Sequence, residues 1–173
     1  MKIAESDFLK AHAGSWTAKR AEEFSVLNVH ALEIPAPPAA IFPLLGAHDL
    51  LAPGAHWAFL FAIRAAIGKL FGWDRGMATH EPQPLAVGNH YAFFLIEHVD
   101  ELREVGMTVK NRLTHAVMTW LLKETPGGTM VYNVTCANFL GRQGRFYWRV
   151  IRPFHDGIIE DSLQALRNRA QQR

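Results

Sequence analysis

Four polar side chains set in strand-like apolar sequence could do chemistry in this chain: Asn28, His30, Tyr132 and Asn138. With side chains alternating between the two faces of a strand, Val26, Asn28, His30, Leu32 and Ile34 share one face of a segment near the N-terminus. In a later segment Tyr132, Val134, Cys136 and Asn138 share a face. This set is expected on the concave side, with Asn133 and Thr135 opposite. Between 112 and 125, Thr114, Ala116, Met118, Trp120 and Leu122 share a face. A mostly apolar wall with a few orienting polar groups is the usual make-up of a small-molecule pocket. Met118, Trp120, Tyr132 and Cys136 are expected to form that wall, and Asn28, His30 and Asn138 its polar contacts. The competing reading is that each is a hydrogen-bonded core residue or a residue at the sheet rim.

Other reactive types are weaker candidates. Arg103, near a strand start, suits an acidic ligand group, and equally an edge ion pair. His155 follows Pro153 and Phe154 and is placed to act as a base if it points inward, or to hold a helix end by a hydrogen bond. Cys136 has no readable histidine partner, so a buried inert thiol is the alternative to a nucleophile. Tyr147 and Trp148 suit packing between sheet and helix. The nine histidines show no metal-ligand spacing. His90 and His98 stand about 26 Å apart along a strand, too far for one ion. No metal or cofactor is implied, and an enzymatic role is left undecided.

Composition narrows the function classes. Hydrophobic residues make up 49% and charged residues 20% of 173 residues, with a formal charge of +2. That length suits a single domain with a sizeable core, and the composition argues against disorder. So small a net charge, without a dense basic block before the C-terminus, argues against nucleic-acid binding. The single cysteine rules out an intrachain disulfide and fits a reducing compartment. The first residues lack the apolar core of a signal peptide. The most apolar stretch, Trp57 to Phe71, is too short and charged to span a bilayer. A cytoplasmic location is expected, with no stable membrane insertion, and self-association stays open.

The elements that must position these residues follow from periodicity. Asp7 to Glu23 reads as a short helix or arm, and Phe24 to Ile34 as a strand ended by Pro35, Pro37 and Pro38. Ala39 to Leu45 reads as a short helix. Trp57 to Phe71 is Ala-rich and reads as a helix, bounded by Gly72. It suits a core or lid helix, a dimer contact or a membrane-surface contact. Period two then takes over. Met77 to Gln83 reads as a short edge strand, followed by strands His90 to Val99, Leu102 to Lys110, Arg112 to Thr125 and Thr129 to Leu140 in an antiparallel meander. After Gly141 the period returns to 3.6 up to Arg173, with Pro153 expected to kink or restart the helix. Phe146, Val150, Phe154, Ile158, Leu163 and Leu166 are expected on one apolar face, and Trp120, Tyr132, Phe146 and Phe154 buried between sheet and helix.

This order of elements resembles the START-like helix-grip (SRPBCC) superfamily, which includes the birch-pollen-allergen, polyketide cyclase and lipid-transport proteins. Ala58 to Trp73 (AFLFAIRAAIGKLFGW) and Gly141 to Ile158 (GRQGRFYWRVIRPFHDGI) resemble a bacterial branch known only as a domain of unknown function. The resemblance implies an α+β fold, a curved antiparallel sheet of about six or seven strands wrapped around a long C-terminal helix. It also implies that the first and last strands are neighbours. The expected function is binding of a small apolar or amphipathic molecule. A cyclase, dehydrase or hydrolase and an interaction protein with a filled core are the alternatives.

Overall fold

The protein is described by a computed structural model over residues 1–47, 50, 53–74, 79–81 and 83–172. Six strands form one antiparallel sheet in the order β1-β6-β5-β4-β3-β2. They are β1 Val26–Ile34, β2 His90–Tyr91, β3 Phe94–Asp100, β4 Glu104–Lys110, β5 Thr114–Thr125 and β6 Gly128–Phe139. Helices α1 Glu5–Ala11 and α2 Trp16–Ala21 precede the sheet. Helix α3 Pro38–Ile41 runs into a 3-10 turn at Phe42–Gly46, α4 covers Ala55–Leu70, and α5 covers Gly141–Gln171. The first and last strands pair directly, His30 opposite Asn133. This is the helix-grip arrangement.

The meander forms because its strands are rich in β-branched and aromatic residues and each connection is short. The β5–β6 turn illustrates the local chemistry. Gly128 has φ of 137°, and a Cβ there would sit 2.2 Å from the Ile34 carbonyl oxygen. The expected continuous strand from His90 to Val99 is instead the hairpin β2–β3, because Ala92 turns the chain with φ of 54°. The buried Tyr91 hydroxyl donates to the Ala47 carbonyl at 2.6 Å and fixes that turn against the preceding segment. Of the edge strand expected over Met77 to Gln83, Met77, Ala78 and Pro82 lie outside the described residues, and residues 79–81 and 83 are in no strand.

Both faces of the sheet are covered. On the concave face α5 and the side chains of Ile41, Phe42, Leu44, Leu45 and Leu50 enclose Val105, Met107, Met118, Trp120, Leu122 and Val131 with Ile159, Leu163 and Leu166. On the convex face α1 brings Phe8 onto Val29, Val117, Val134 and Cys136. Helix α2 sits over Gly106, where a Cβ would come within 2.1 Å of the Trp16 ring. The free edge of β1 is capped by the N-terminus: Ile3 N–H donates to the Val29 carbonyl and Ala31 N–H to that of Met1. That removes an open edge from the sheet.

Helix α5 decides against a restart at Pro153 and corrects the burial expected of its first half. It continues through Pro153 without a restart. Phe146 and Phe154 are not buried between sheet and helix: they are 68% and 49% exposed, and Val150 is exposed as well. The buried side chains of α5 are Ile159, Ser162, Leu163, Leu166 and Ala170, with Gly144 alone in the first half. The first half approaches the chain through that glycine, where a Cβ would lie 2.5 Å from the Leu113 carbonyl.

Candidate functional site

Cross-strand pairing builds two rows on the concave face. One runs His30, Asn133, Trp120, Val105, and the next runs Asn28, Thr135, Met118, Met107. Partners directly opposite in an antiparallel pair point to the same side. The polar ends of both rows therefore meet the middle of α5, and the apolar ends continue into the core. Asn28, His30, Asn133 and Thr135 are all buried.

Helix α5 delivers His155, Asp156 and Glu160 onto these rows. The Asn28 amide donates to Asp156 Oδ1 at 2.7 Å. His30 Nε2 lies 3.3 Å from the same oxygen. The Lys2 ammonium donates to Asp156 Oδ2 at 3.1 Å. His155 sits 3.4 Å from Asn28 Nδ2 through Nδ1 and 3.4 Å from Thr135 Oγ1 through Nε2. His30 Nδ1 is 3.6 Å from Glu160 Oε1. The spacing of Asp156 and Glu160, one helical turn apart, puts both on the stripe that crosses β1.

The electrostatics follow from these contacts. The neighbouring His155, 4.0 Å away, together with the hydrogen bonds from Asn28 and Lys2, holds the Asp156 carboxyl far below the usual carboxylate range despite partial burial. Burial pushes His30 down, against the opposing pull of Asp156 and Glu160. The site thus pairs the ionised Asp156 carboxylate with the buried His30 imidazole, and His155 reaches the same Asn28 amide from the other side.

Several buried polar atoms here have no hydrogen-bond partner: Asn28 Oδ1, His30 Nδ1, both amide atoms of Asn133, and Trp120 Nε1. They lie on the two adjacent rows. A buried unpaired polar group costs about 1–3 kcal/mol, so a cluster of them marks a place where the interior is incomplete without something polar. Of two concavities on the surface, one is lined by residues 2–6 and shares only Lys2 with this site, and the other lies between the 3-10 turn and Arg169. Among the described residues no group of three or more His, Cys, Asp or Glu side chains is arranged to hold a metal ion.

The structure brings together Asn28, His30, Met118 and Trp120 and separates the other expected site residues from them. Tyr132 and Cys136 lie on the convex face, which corrects the expected side for β6. The Tyr132 ring packs 5.5 Å from Phe8 and 4.7 Å from His12. Burial pushes the Cys136 thiol up to about 12, so it is a poor source of thiolate. Asn138 accepts from Ser25 N–H at 2.8 Å and donates to the Glu23 carbonyl at 3.0 Å, which staples the approach to β1. Arg103 pairs with Asp100 at 3.4 Å with its side chain 76% exposed. The reading of β6 failed because both faces of the sheet are buried, so hydrophobicity could not choose between them. Asn133, Thr135, Asp156, Glu160 and Lys2 were missed. The i, i+4 acidic pair on α5 was the available signal for two of them.

A pH dependence follows from burial. Folding lowers the proton affinity of His12, His30 and His115, with desolvation the largest cause in each. As pH falls through about 6.5 the unfolded chain takes up more protons than the folded one, and stability falls. The depressed Asp156 adds a loss only below its unfolded value of about 3.9. The urea midpoint is expected to be lower at pH 5.5 than at pH 7.5, and His30→Gln should shrink the difference. Equal midpoints, or a higher one at pH 5.5, would contradict the burial argument.

Comparison with known proteins places the fold. A family model described as a protein of unknown function (DUF2867) matches residues 20–162. An uncharacterised protein from Rhizobium leguminosarum is similar in structure, with a TM-score of 0.52 at 13% identity, covering 86% of this chain and 95% of that one. The di-domain ARO/CYC StfQ from the steffimycin biosynthetic pathway gives a TM-score of 0.53 at 10% identity, covering 90% of this chain and 53% of that one. No curated protein matches. At these identities the likeness concerns the fold, which is START-like.

Proposed function

The chain belongs to the DUF2867 family of proteins of unknown function, and from the geometry of its concave face we propose that it binds a small amphipathic molecule between the sheet and the middle of α5. The polar part of the ligand meets Asn28, His30, Asn133 and Asp156. The apolar part lies along Met118 and Trp120. The observation that carries this reading is the cluster of unpaired buried polar atoms on two adjacent rows, beside an otherwise apolar interior. The fold it shares with the di-domain ARO/CYC StfQ is compatible with it. The free and buried Cys136 fits a cytoplasmic setting.

A second reading is favoured by one distance, the 3.3 Å between His30 Nε2 and Asp156 Oδ1. A carboxylate that orients an imidazole is a general-base arrangement. On this reading the domain is a cyclase, dehydrase or hydrolase working on the same ligand class. Asp156→Asn would then abolish turnover while binding persists.

Native mass spectrometry of protein purified gently from cells tests binding. A fraction of the wild type is expected to carry one small molecule that denaturation releases. Asn133→Leu should abolish the adduct. If the wild type carries none and Asn133→Leu simply raises stability, the orphan amide was an unfilled cost in a closed core, and the interaction-protein reading replaces this one.

A further inference from the structure

Helix α4, held to α5 by two side-chain hydrogen bonds, and the first half of α5 each expose apolar side chains, and both carry only basic charges. Helix α4 carries no acidic residue, and none occurs between Gly141 and His155. At 3.6 residues per turn, Trp57, Arg64 and Gly68 share one side of α4, and Phe59, Ile63, Ile67 and Leu70 the opposite side. The first side is anchored. Trp57 Nε1 donates to Asp161 Oδ2 at 2.7 Å, and Arg64 Nε donates to the Tyr147 hydroxyl at 3.2 Å. The opposite side faces outward: Phe59 is 66% exposed and Leu70 80%, with Ile63, Ile67 and Phe71 also exposed. On α5, Phe146, Val150 and Phe154 form an exposed stripe next to the direction in which Tyr147 meets α4. Arg142, Arg145, Arg149 and Arg152 form a second exposed stripe beside it.

A surface of this make-up is expensive to leave in water and is larger than scattered single apolar residues explain. Its charge selects the occupant. Lys69 and the four arginines in the first half of α5 supply five positive charges, whereas the whole chain carries +2. The remainder is therefore net negative. Two copies meeting through this face would bring like charges together. An anionic bilayer surface complements it in both respects, taking apolar side chains into the acyl boundary and arginines at the headgroups.

We propose that α4 and the first half of α5 dock the protein reversibly, and flat, on an anionic lipid bilayer. No helix among the described residues is long and apolar enough to cross a membrane, so the contact is interfacial. The proposal is independent of whether the interior holds a ligand.

Co-sedimentation with vesicles tests it, using phosphatidylcholine alone and phosphatidylcholine mixed with phosphatidylglycerol. The full chain is expected to partition onto the mixed vesicles and release at high salt. Each basic residue near such a surface contributes about fivefold, so Arg145→Gln with Arg149→Gln should weaken partitioning about 30-fold. Phe59→Ser with Ile63→Ser should also release the protein while leaving its circular dichroism and melting unchanged. No binding of the wild type to mixed vesicles overturns the proposal. So does binding that survives the Phe59/Ile63 pair, which would show a charge-only contact. Lipid-free dimers abolished by the same pair would make the face a self-association surface. Tighter binding to single-stranded DNA than to vesicles would make it a nucleic-acid surface. Either result also overturns docking.

Discussion

Trp120→Ala is expected to destabilise the domain by about 3–5 kcal/mol, the range for deleting a buried large aromatic side chain. Trp120 is 1% exposed and lies in the centre of the concave core with Met107, Met118, Leu163 and Leu166. Removing the indole leaves a cavity that the sheet cannot collapse, because β5 is hydrogen-bonded on both sides by β4 and β6. Chemical denaturation followed by far-UV circular dichroism gives the number. Phe146→Ala is the internal comparison, since Phe146 is exposed and should change stability by no more than about 0.5 kcal/mol. A loss below about 1 kcal/mol for Trp120→Ala would mean that the rows on the concave face are misassigned.

Glu104→Ala should be nearly as costly, about 2–5 kcal/mol, for a different reason. Glu104 is a buried carboxylate on the convex face. Its oxygens accept from Thr17 N–H at 2.8 Å, from Trp16 N–H at 3.1 Å and from the Thr17 hydroxyl. The two amides belong to the first turn of α2, where they have no partner within the helix. Alanine would leave Thr17, which is fully buried, with both its N–H and its hydroxyl unpaired. Equilibrium urea unfolding measures the effect, with the exposed turn residue Glu101 as the near-neutral control. If Glu104→Ala unfolds at the wild-type midpoint, α2 is not held to the sheet by this carboxylate.

These two residues show where sequence reasoning reached and where it stopped. Trp120 was legible because β5 alternates over a long run and its middle, Ala116, Met118, Trp120 and Leu122, is apolar on one side. Glu104 was not, because a carboxylate at the start of a strand looks like any exposed rim charge. Only the return of α2 across the sheet, with Trp16 against Gly106, turns it into a buried acceptor. The same holds at the candidate site. Asn28 and His30 stood out as polar residues on an apolar face, whereas Asp156 lies in a helix among many charges and gains meaning only by crossing β1.

The sequence by itself determined the order and type of the elements, through the change from period two to 3.6 at Gly141, the prolines after Ile34 and the glycines at the turns. These are local signals, set by backbone sterics and by which side chains alternate. Which face of β6 looks inward, and which half of α5 is buried, were decided by tertiary structure. Both faces of the sheet are covered, so apolar content alone could not rank them. The aromatic stripe of Phe146, Val150 and Phe154 reads as core until α4 takes up its place along the helix and leaves that stripe outside. Long-range packing settles such choices because it selects among surfaces that are equally apolar.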